Sequence, residues 1–457
     1  MTSNKAALDQ GSLLRGIALV LIVLLGLEMR LTAVELTVVD TPLRADALDY
    51  FGYAWNIANE GTYARLIPGI SAAPDTELVA DFTRSPGFPL LAALFASDNI
   101  PTFYLDTLNA QLVLNALILL PALLLGWRSF GYWPALATGL LYATAPHLIS
   151  MNLYFLSESL MISLMVAFVT LLFLALRGGG MLVWALLGLC LAYAALTRPY
   201  MQYFILLLLP WLLWEYRRER KAKIWLFALC FAVVSGSWSL YVKSQGGQGD
   251  DILMVGTIHH GLYPDLMFED NPATYGYPYR YDPAAAEISK DMRSVLTELQ
   301  RRFATEPLKH LRWYLVGKPL TLWQWPLIQG TREIYIYPVA TPPWDYLGHF
   351  QLTLLLHKLL HYPLLLAALV FTLLVWVPRF ALALPRNQLL FYRALALLLF
   401  YSTAIHMVGA PFPRYQIPQK FMVFIMATAC VAHVLLPLWA RVAAAWHPPA
   451  GKRPDAG

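Results

Sequence analysis

From Leu160 to Leu176 the chain is almost wholly apolar, and comparable stretches recur along most of its length. A helix needs about 20 such residues to cross a hydrocarbon core. Composition agrees with that reading: 58% of residues are apolar and only 13% charged, a balance rare in a soluble chain of 457 residues. An all-α polytopic membrane protein is expected. Hydropathy places spans at 14–36, 105–125, 132–149, 157–176, 181–196, 200–214, 224–242, 350–377, 389–408 and 417–439. That makes about ten.

Basic residues concentrate in short loops, and Arg217-Arg218-Glu219-Arg220-Lys221-Ala222-Lys223 is the densest of them. The positive-inside rule puts this loop in the cytoplasm. Counting spans from it puts both termini inside with Lys5, Arg15, Arg441, Lys452 and Arg453, and Arg379 and Arg386 inside as well. The segments 38–104, 244–348 and 409–415 then lie outside. The chain divides into an N-terminal membrane module (1–243, with its first outer loop at 38–104), a long outer loop or lid (244–348) and C-terminal spans with a tail (349–457). The long loop opens on Gly246-Gly247-Gln248-Gly249, is rich in Tyr and Pro from Tyr275 to Pro283, and carries a helical apolar spacing from Ala284 to Phe303.

A net charge of +5 spread over short loops does not point to nucleic acid. Cys190, Cys230 and Cys430 each sit within apolar segments and read as small hydrophobes rather than a disulfide or zinc framework. The first apolar run lacks a small-residue cleavage pattern and is expected to be a retained anchor. No Asn-x-Ser/Thr acceptor occurs in the sequence, which leans toward a bacterial inner (plasma) membrane.

Polar chemistry gathers on the outer side. Asp46 and Asp49 are three residues apart and share a face if their segment is helical, with Tyr50 and Tyr53 close by. A carboxylate against an apolar wall gains basicity and suits general-base work; capping a helix is the alternative for Asp46. Glu28 and Arg30 lie near the outer end of the first span, where charges mark a functional cavity, pair with each other, or snorkel to the interface. Glu158 opens the fourth span, either as a first-turn acid favoured by the helix dipole or as a further site carboxylate. Arg84, Arg198 and Arg414 (before Tyr415) end up at outer helix ends, where guanidinium forks fit a phosphate or lipid headgroups. His259-His260 and the pair His357 and His361, with Lys358 between the latter two, carry no HExxH carboxylate that would make a metal site. Neither a P-loop nor a GxGxxG after a strand is present, so any donor is expected to arrive with the lipid.

Asp46, Tyr50, Ala54, Asn56, Gly61 and Tyr63, then Arg84-Ser85-Pro86-Gly87-Phe88-Pro89, then Ser157-Glu158, Thr197-Arg198-Pro199, Glu306-Pro307 and Pro413-Arg414-Tyr415 follow one another along the chain. In that order they resemble the polytopic glycosyltransferases of the C superfamily (GT-C). More narrowly, they resemble glycosyltransferase family 39, the protein O-mannosyltransferases and lipid A aminoarabinose transferases. The resemblance implies a GT-C-like helix arrangement, with amphipathic helices in the first outer loop. It implies a polyprenyl-phosphate sugar donor and transfer to a glycan, protein or lipid acceptor on the extracytoplasmic face. Asp46 matches the catalytic base, and Arg84, Arg198 and Arg414 match positions facing the donor phosphate. Members commonly carry Asp-Glu where this chain has Asp46-Ala47, which leaves Asp46 and Asp49 both open as the base. Tyr50, Tyr415, Arg30 and Glu158 complete the expected substrate site, and a divalent cation is possible. A transporter or flippase of lipid-linked saccharides is the competing reading; it calls for broken helices and charges at mid-bilayer.

Overall fold

A computed structural model describes residues 10–216, 219–247, 251–328 and 330–446. Lys5, Arg217, Arg218, Gln248, Gly249, Lys452 and Arg453, on which parts of the orientation and loop readings rest, lie outside the described residues. The protein is almost entirely helical. Helices α1 (Gln10–Leu36), α2 (Asp46–Asn59), α3 (Gly87–Ala93), α4 (Ile100–Leu117) and α5 (Leu119–Phe130) come first. They are followed by α6 (Tyr132–Thr144), α7 (Pro146–Ser150), α8 (Ser157–Leu176), α9 (Met181–Thr197), α10 (Ile205–Tyr216) and α11 (Lys221–Ser244). The long loop holds α12 (Asp251–His260), α13 (Ala285–Ile288), α14 (Met292–Thr305), α15 (Pro307–Arg312) and α16 (Lys318–Leu322). The chain then runs through α17 (Gly348–Leu374), α18 (Pro378–Ala381), α19 (Arg386–Val408), α20 (Lys420–Cys430) and α21 (Leu436–Trp446).

Among the described residues, seven helical stretches are long and apolar enough to cross a membrane, and Met181–Thr197 is a shorter apolar helix. The protein is a multi-pass membrane protein. Two expected spans are broken where proline forbids continuation: α6 stops at Ala145, whose φ/ψ of −67°/114° is extended, and Pro146 restarts the chain as α7. Likewise, Pro199–Phe204 is a 3-10 stretch before α10. The single amphipathic helix expected over 284–303 is two pieces instead. Asp291 caps a new helix start, its carboxylate accepting from the Ser294 N–H at 2.7 Å, because an Asp there satisfies an orphan backbone donor better than another helical turn would.

One buried apolar cluster runs through the bundle, with α8 as its most enclosed helix. The two loop segments meet at one end of it. Val38 and Val39 pair antiparallel with Ala340 and Val339, a two-residue ribbon that ties the exit of α1 to the end of the long loop. Lys318 donates to the carbonyls of Met407 (2.8 Å) and Gly409 (2.9 Å) at the C-terminal end of α19, where the helix leaves carbonyls without an internal partner. Burial pushes this amine well below its ordinary value. These contacts hold the long loop against the 3-10 turn Pro413–Gln419.

A candidate acid–arginine active site

Helix α2 starts at Asp46, so Asp46 and Asp49 stand one turn apart on one face. Asp46 does not cap this helix: no side-chain cap bond forms at its start, and both carboxylate oxygens face guanidinium groups instead. The preceding Ala45 has φ 45° and ψ −125°, a conformation rare for any residue with a Cβ, and it turns the chain sharply into the helix.

Arg84 is brought to these acids by the residues around it. Asn56 Nδ2 donates to the carbonyls of Ala64 (2.6 Å) and Leu66 (2.8 Å), folding the chain back along α2. The Tyr63 hydroxyl, stacked under Tyr53 at 4.4 Å, donates to the Arg84 carbonyl at 2.8 Å. Gly87 then sets the approach to α9. A Cβ there would lie 2.4 Å from Thr197 Oγ1 and 2.7 Å from its backbone N, so only glycine lets the Arg84 loop close on the Arg198 loop. The Tyr193 hydroxyl donates to the Gly87 carbonyl at 2.7 Å across the same contact.

The result joins five separate stretches of chain. Arg84 donates to Asp46 Oδ1 at 2.7 Å and, through Nε and a terminal nitrogen, to Asp49 Oδ2 at 3.1 and 2.9 Å. Arg414 donates to Asp46 Oδ2 at 2.9 Å and lies 3.9 Å from Glu158 Oε1. Arg198 closes an ion pair with Glu158, which is 2% exposed and whose second oxygen has no hydrogen-bond partner. Three carboxylates therefore face three guanidinium groups, and the constellation is formally neutral. Tyr50 bonds Ser157 Oγ at 3.1 Å and lies under Arg84; Tyr415 lies under both Arg198 and Arg414.

Burial raises the Asp46 carboxyl, but Arg414, Arg84 and Arg198 together outweigh it and hold the group at about 2. Burial works against the charge on Arg84 too, and there Asp46, Tyr50 and Asp49 prevail and push it up. Both groups are charged at neutral pH.

Eight of the nine expected residues converge in this way, and Arg30 does not. It is fully buried in α1, donates to the carbonyls of Gly26 (2.9 Å) and Ala143 (3.3 Å) and lies over the Tyr142 ring. Glu28 is not its partner: that carboxylate accepts from Thr32 instead. With no carboxylate neighbour, Arg30 rests one terminal nitrogen on backbone oxygens and its guanidinium on an aromatic face, and its other nitrogens have no hydrogen-bond partner. Glu306 sits exposed between α14 and α15, beside Lys309, and takes no part in the cluster. The sequence reading missed Tyr277 and Tyr337. Burial pushes both phenols up, and the charges of Asp46 and Arg414 act on each, which puts both at the site's edge. The Tyr337 hydroxyl also donates to the Arg44 carbonyl at 3.2 Å. The aromatic run Tyr275–Pro283 hinted at Tyr277; nothing near Tyr337 in sequence marked it.

A divalent cation does not fit this donor set as arranged. Asp46, Asp49 and Glu158 each hold a guanidinium where a metal would stand, and no group of three or more His, Cys, Asp or Glu suited to a metal occurs among the described residues. His357 and His361 are engaged elsewhere, with Thr144 Oγ1 and the Trp323 carbonyl.

No protein-family profile and no curated protein sequence matches the chain. Solved structures do match. The oligosaccharyltransferase of Archaeoglobus fulgidus tethered to an acceptor peptide with an NVT sequon aligns over 97% of this chain and 52% of its own, at TM-score 0.50 and 13% identity. The fold is GT-C-like. The archaeal oligosaccharyltransferase AglB from Archaeoglobus fulgidus, with an inhibitory peptide and a dolichol-phosphate, aligns over 96% of this chain and 52% of its own, at TM-score 0.49 and 13% identity. ArnT from Cupriavidus metallidurans bound to undecaprenyl phosphate aligns over 93% of this chain and 79% of its own, at TM-score 0.41 and 13% identity. The chain spans about half the length of the archaeal enzyme.

Proposed function

We propose that this protein is a membrane glycosyltransferase that moves a sugar from a polyprenyl-phosphate donor to a hydroxyl or amine acceptor on the extracytoplasmic face, with inversion at the anomeric carbon. One observation carries the reading: a first-loop carboxylate, Asp46, is gripped by Arg84 and by Arg414, with tyrosines of the long loop close enough to feel its charge. The GT-C-like fold agrees with it.

In the state described, every guanidinium is committed to a carboxylate and Asp46 is a weak base. A donor phosphate competes for the same forks, since planar bidentate contacts suit phosphate as well as carboxylate. As Arg84 and Arg414 turn to it, Asp46 keeps its apolar surroundings and loses its counter-charges, so its basicity rises when a donor is present. The acceptor O–H or N–H then attacks the anomeric carbon and its proton passes to Asp46. The bond from that carbon to the phosphate oxygen breaks, and the electron pair leaves on the polyprenyl phosphate. The arginines neutralise this departing charge. Tyr277 and Tyr337 cover the pocket and restrict water, to which an oxocarbenium-like centre is readily lost.

The test is a gene deletion followed by mass analysis of envelope glycans and of the lipid-linked sugar pool. Loss of one glycan modification, with accumulation of one polyprenyl-phosphate sugar, restored by the wild-type gene and not by Asp46→Asn, is the expected result. An unchanged glycan profile, or rescue by Asp46→Asn, refutes the proposal.

A further inference from the structure

A second polar pocket lies on the other side of the turn that presents Arg414. In a 3-10 turn successive residues are about 120° apart, so Gln416 leaves Pro413–Gln419 in a different direction from Arg414. It enters a small cleft between α17 and α20, roofed by Trp323 and Trp325 of the long loop. Lys420 lines it from α20, and His357 and His361 line it from α17.

This cleft holds a lysine amine that no carboxylate pairs with among the described residues. Lys420 is 6% exposed; its amine lies over the Trp325 ring, 5.6 Å away, and no hydrogen bond or carboxylate pairs with it among the described residues. The histidines do not compensate it. His361 and His147 donate from Nε2 to the carbonyls of Trp323 (2.8 Å) and Trp325 (2.9 Å), and His357 bonds Thr144 at 3.0 Å. Glu333, the acid bonded to the Trp325 indole N–H at 2.8 Å, is also taken by Lys358 at 2.7 Å. Gln416 is 2% exposed, and neither atom of its amide has a hydrogen-bond partner. A buried amine without a hydrogen-bond partner and a buried amide without one, both lining one cleft, leave polar groups that a ligand could satisfy.

We propose that this cleft binds the phosphate of an anionic membrane lipid, with Lys420 supplying charge and Gln416 an amide N–H. The source is a lipid because α17, one wall of the cleft, is a helix of membrane length and apolar character. Leu364 and Leu365 line it, and the neighbouring Leu359 and Leu366 are 64% and 62% exposed on the same helix, which gives acyl chains an apolar track. The site is independent of sugar transfer and stands or falls separately from it.

The purified full-length protein in dodecyl maltoside is titrated with dioctanoyl phosphatidate, dioctanoylglycerol and inorganic phosphate. The readout is tryptophan fluorescence, since Trp323 and Trp325 line the cleft. Phosphatidate is expected to bind, the neutral diacylglycerol and free phosphate to bind far more weakly, and Lys420→Met to weaken phosphatidate by about tenfold or more. Gln416→Leu weakens it less, and provides the decisive variant if Lys420→Met does not fold. Arg84→Gln, in the other pocket, leaves it unchanged. Equal binding of diacylglycerol, equal binding of free phosphate, undiminished binding by both cleft variants, or loss in Arg84→Gln each overturns the proposal.

Discussion

Replacing Asp46 with Asn tests the acid–arginine site most sharply, because its neighbour Asp49 supplies a matched control. Asp46 accepts one guanidinium N–H on each oxygen, from Arg84 and from Arg414. An asparagine keeps one acceptor and turns an N–H₂ toward the other arginine, so one contact becomes donor against donor. A charge-assisted hydrogen bond of this kind contributes about 1.5–3 kcal/mol, and removing a general base costs about 10²–10⁴ in rate. Asp49 touches Arg84 alone, through one oxygen. Asp49→Asn therefore loosens Arg84 while Asp46 keeps its place, and turnover is expected to fall by no more than about tenfold. The assay is single-turnover release of polyprenyl phosphate from a radiolabelled donor in membranes that contain the native acceptor. Asp46→Asn should lose at least about a hundredfold in rate. Full activity in Asp46→Asn, or an equal loss in Asp49→Asn, refutes the assignment of Asp46 as the base.

The Asp46 carboxyl is held at about 2 against an ordinary 3.8, so its pairing stabilises the fold above the ordinary value and that contribution is lost as pH falls toward 2. The gap corresponds to about 2 kcal/mol, and thermal unfolding in detergent should show wild type losing its advantage over Asp46→Asn between pH 5 and about 2.5. His260 behaves in a comparable direction for the opposite reason. Burial depresses its imidazole to about 4, opposed by its bond to the Gly276 carbonyl and helped by His259, Arg280 and Arg414. Its neutral form stabilises the contact with Phe412, 5.0 Å away, above its ordinary value of 6.5, and this is lost as pH falls through about 4. Limited proteolysis of the long loop should accelerate over that window in wild type, and much less in His260→Gln. Gly87→Ala forces a methyl against Thr197 and should cost about 1–3 kcal/mol of stability. It should also reduce transfer, because the Arg84 and Arg198 loops separate; an unchanged melting temperature refutes the close-approach reading.

Much of this protein was legible in the residue string. Apolar runs of membrane length announce helices because burying so many carbon atoms in lipid dominates every local preference, and 157–176 matches α8 end to end. The acids of the first loop and the arginines before or after prolines also stood out, since charge is scarce here and each charged group has to be justified. What the string did not contain was partnership. Whether Arg414 meets Asp46, 368 positions away, depends on how α2, α8 and the turn at Pro413–Gln419 pack, and no local rule encodes that distance. Arg30 shows the converse: a charge in a span looked functional, yet tertiary packing gave it carbonyls and a tyrosine ring instead of a site. Tyr337 and Lys420 became visible only when remote elements closed around them. Hydrophobic burial is additive along a chain and can be read from it. The pairing of charges depends on distance in space, and only the folded chain sets that.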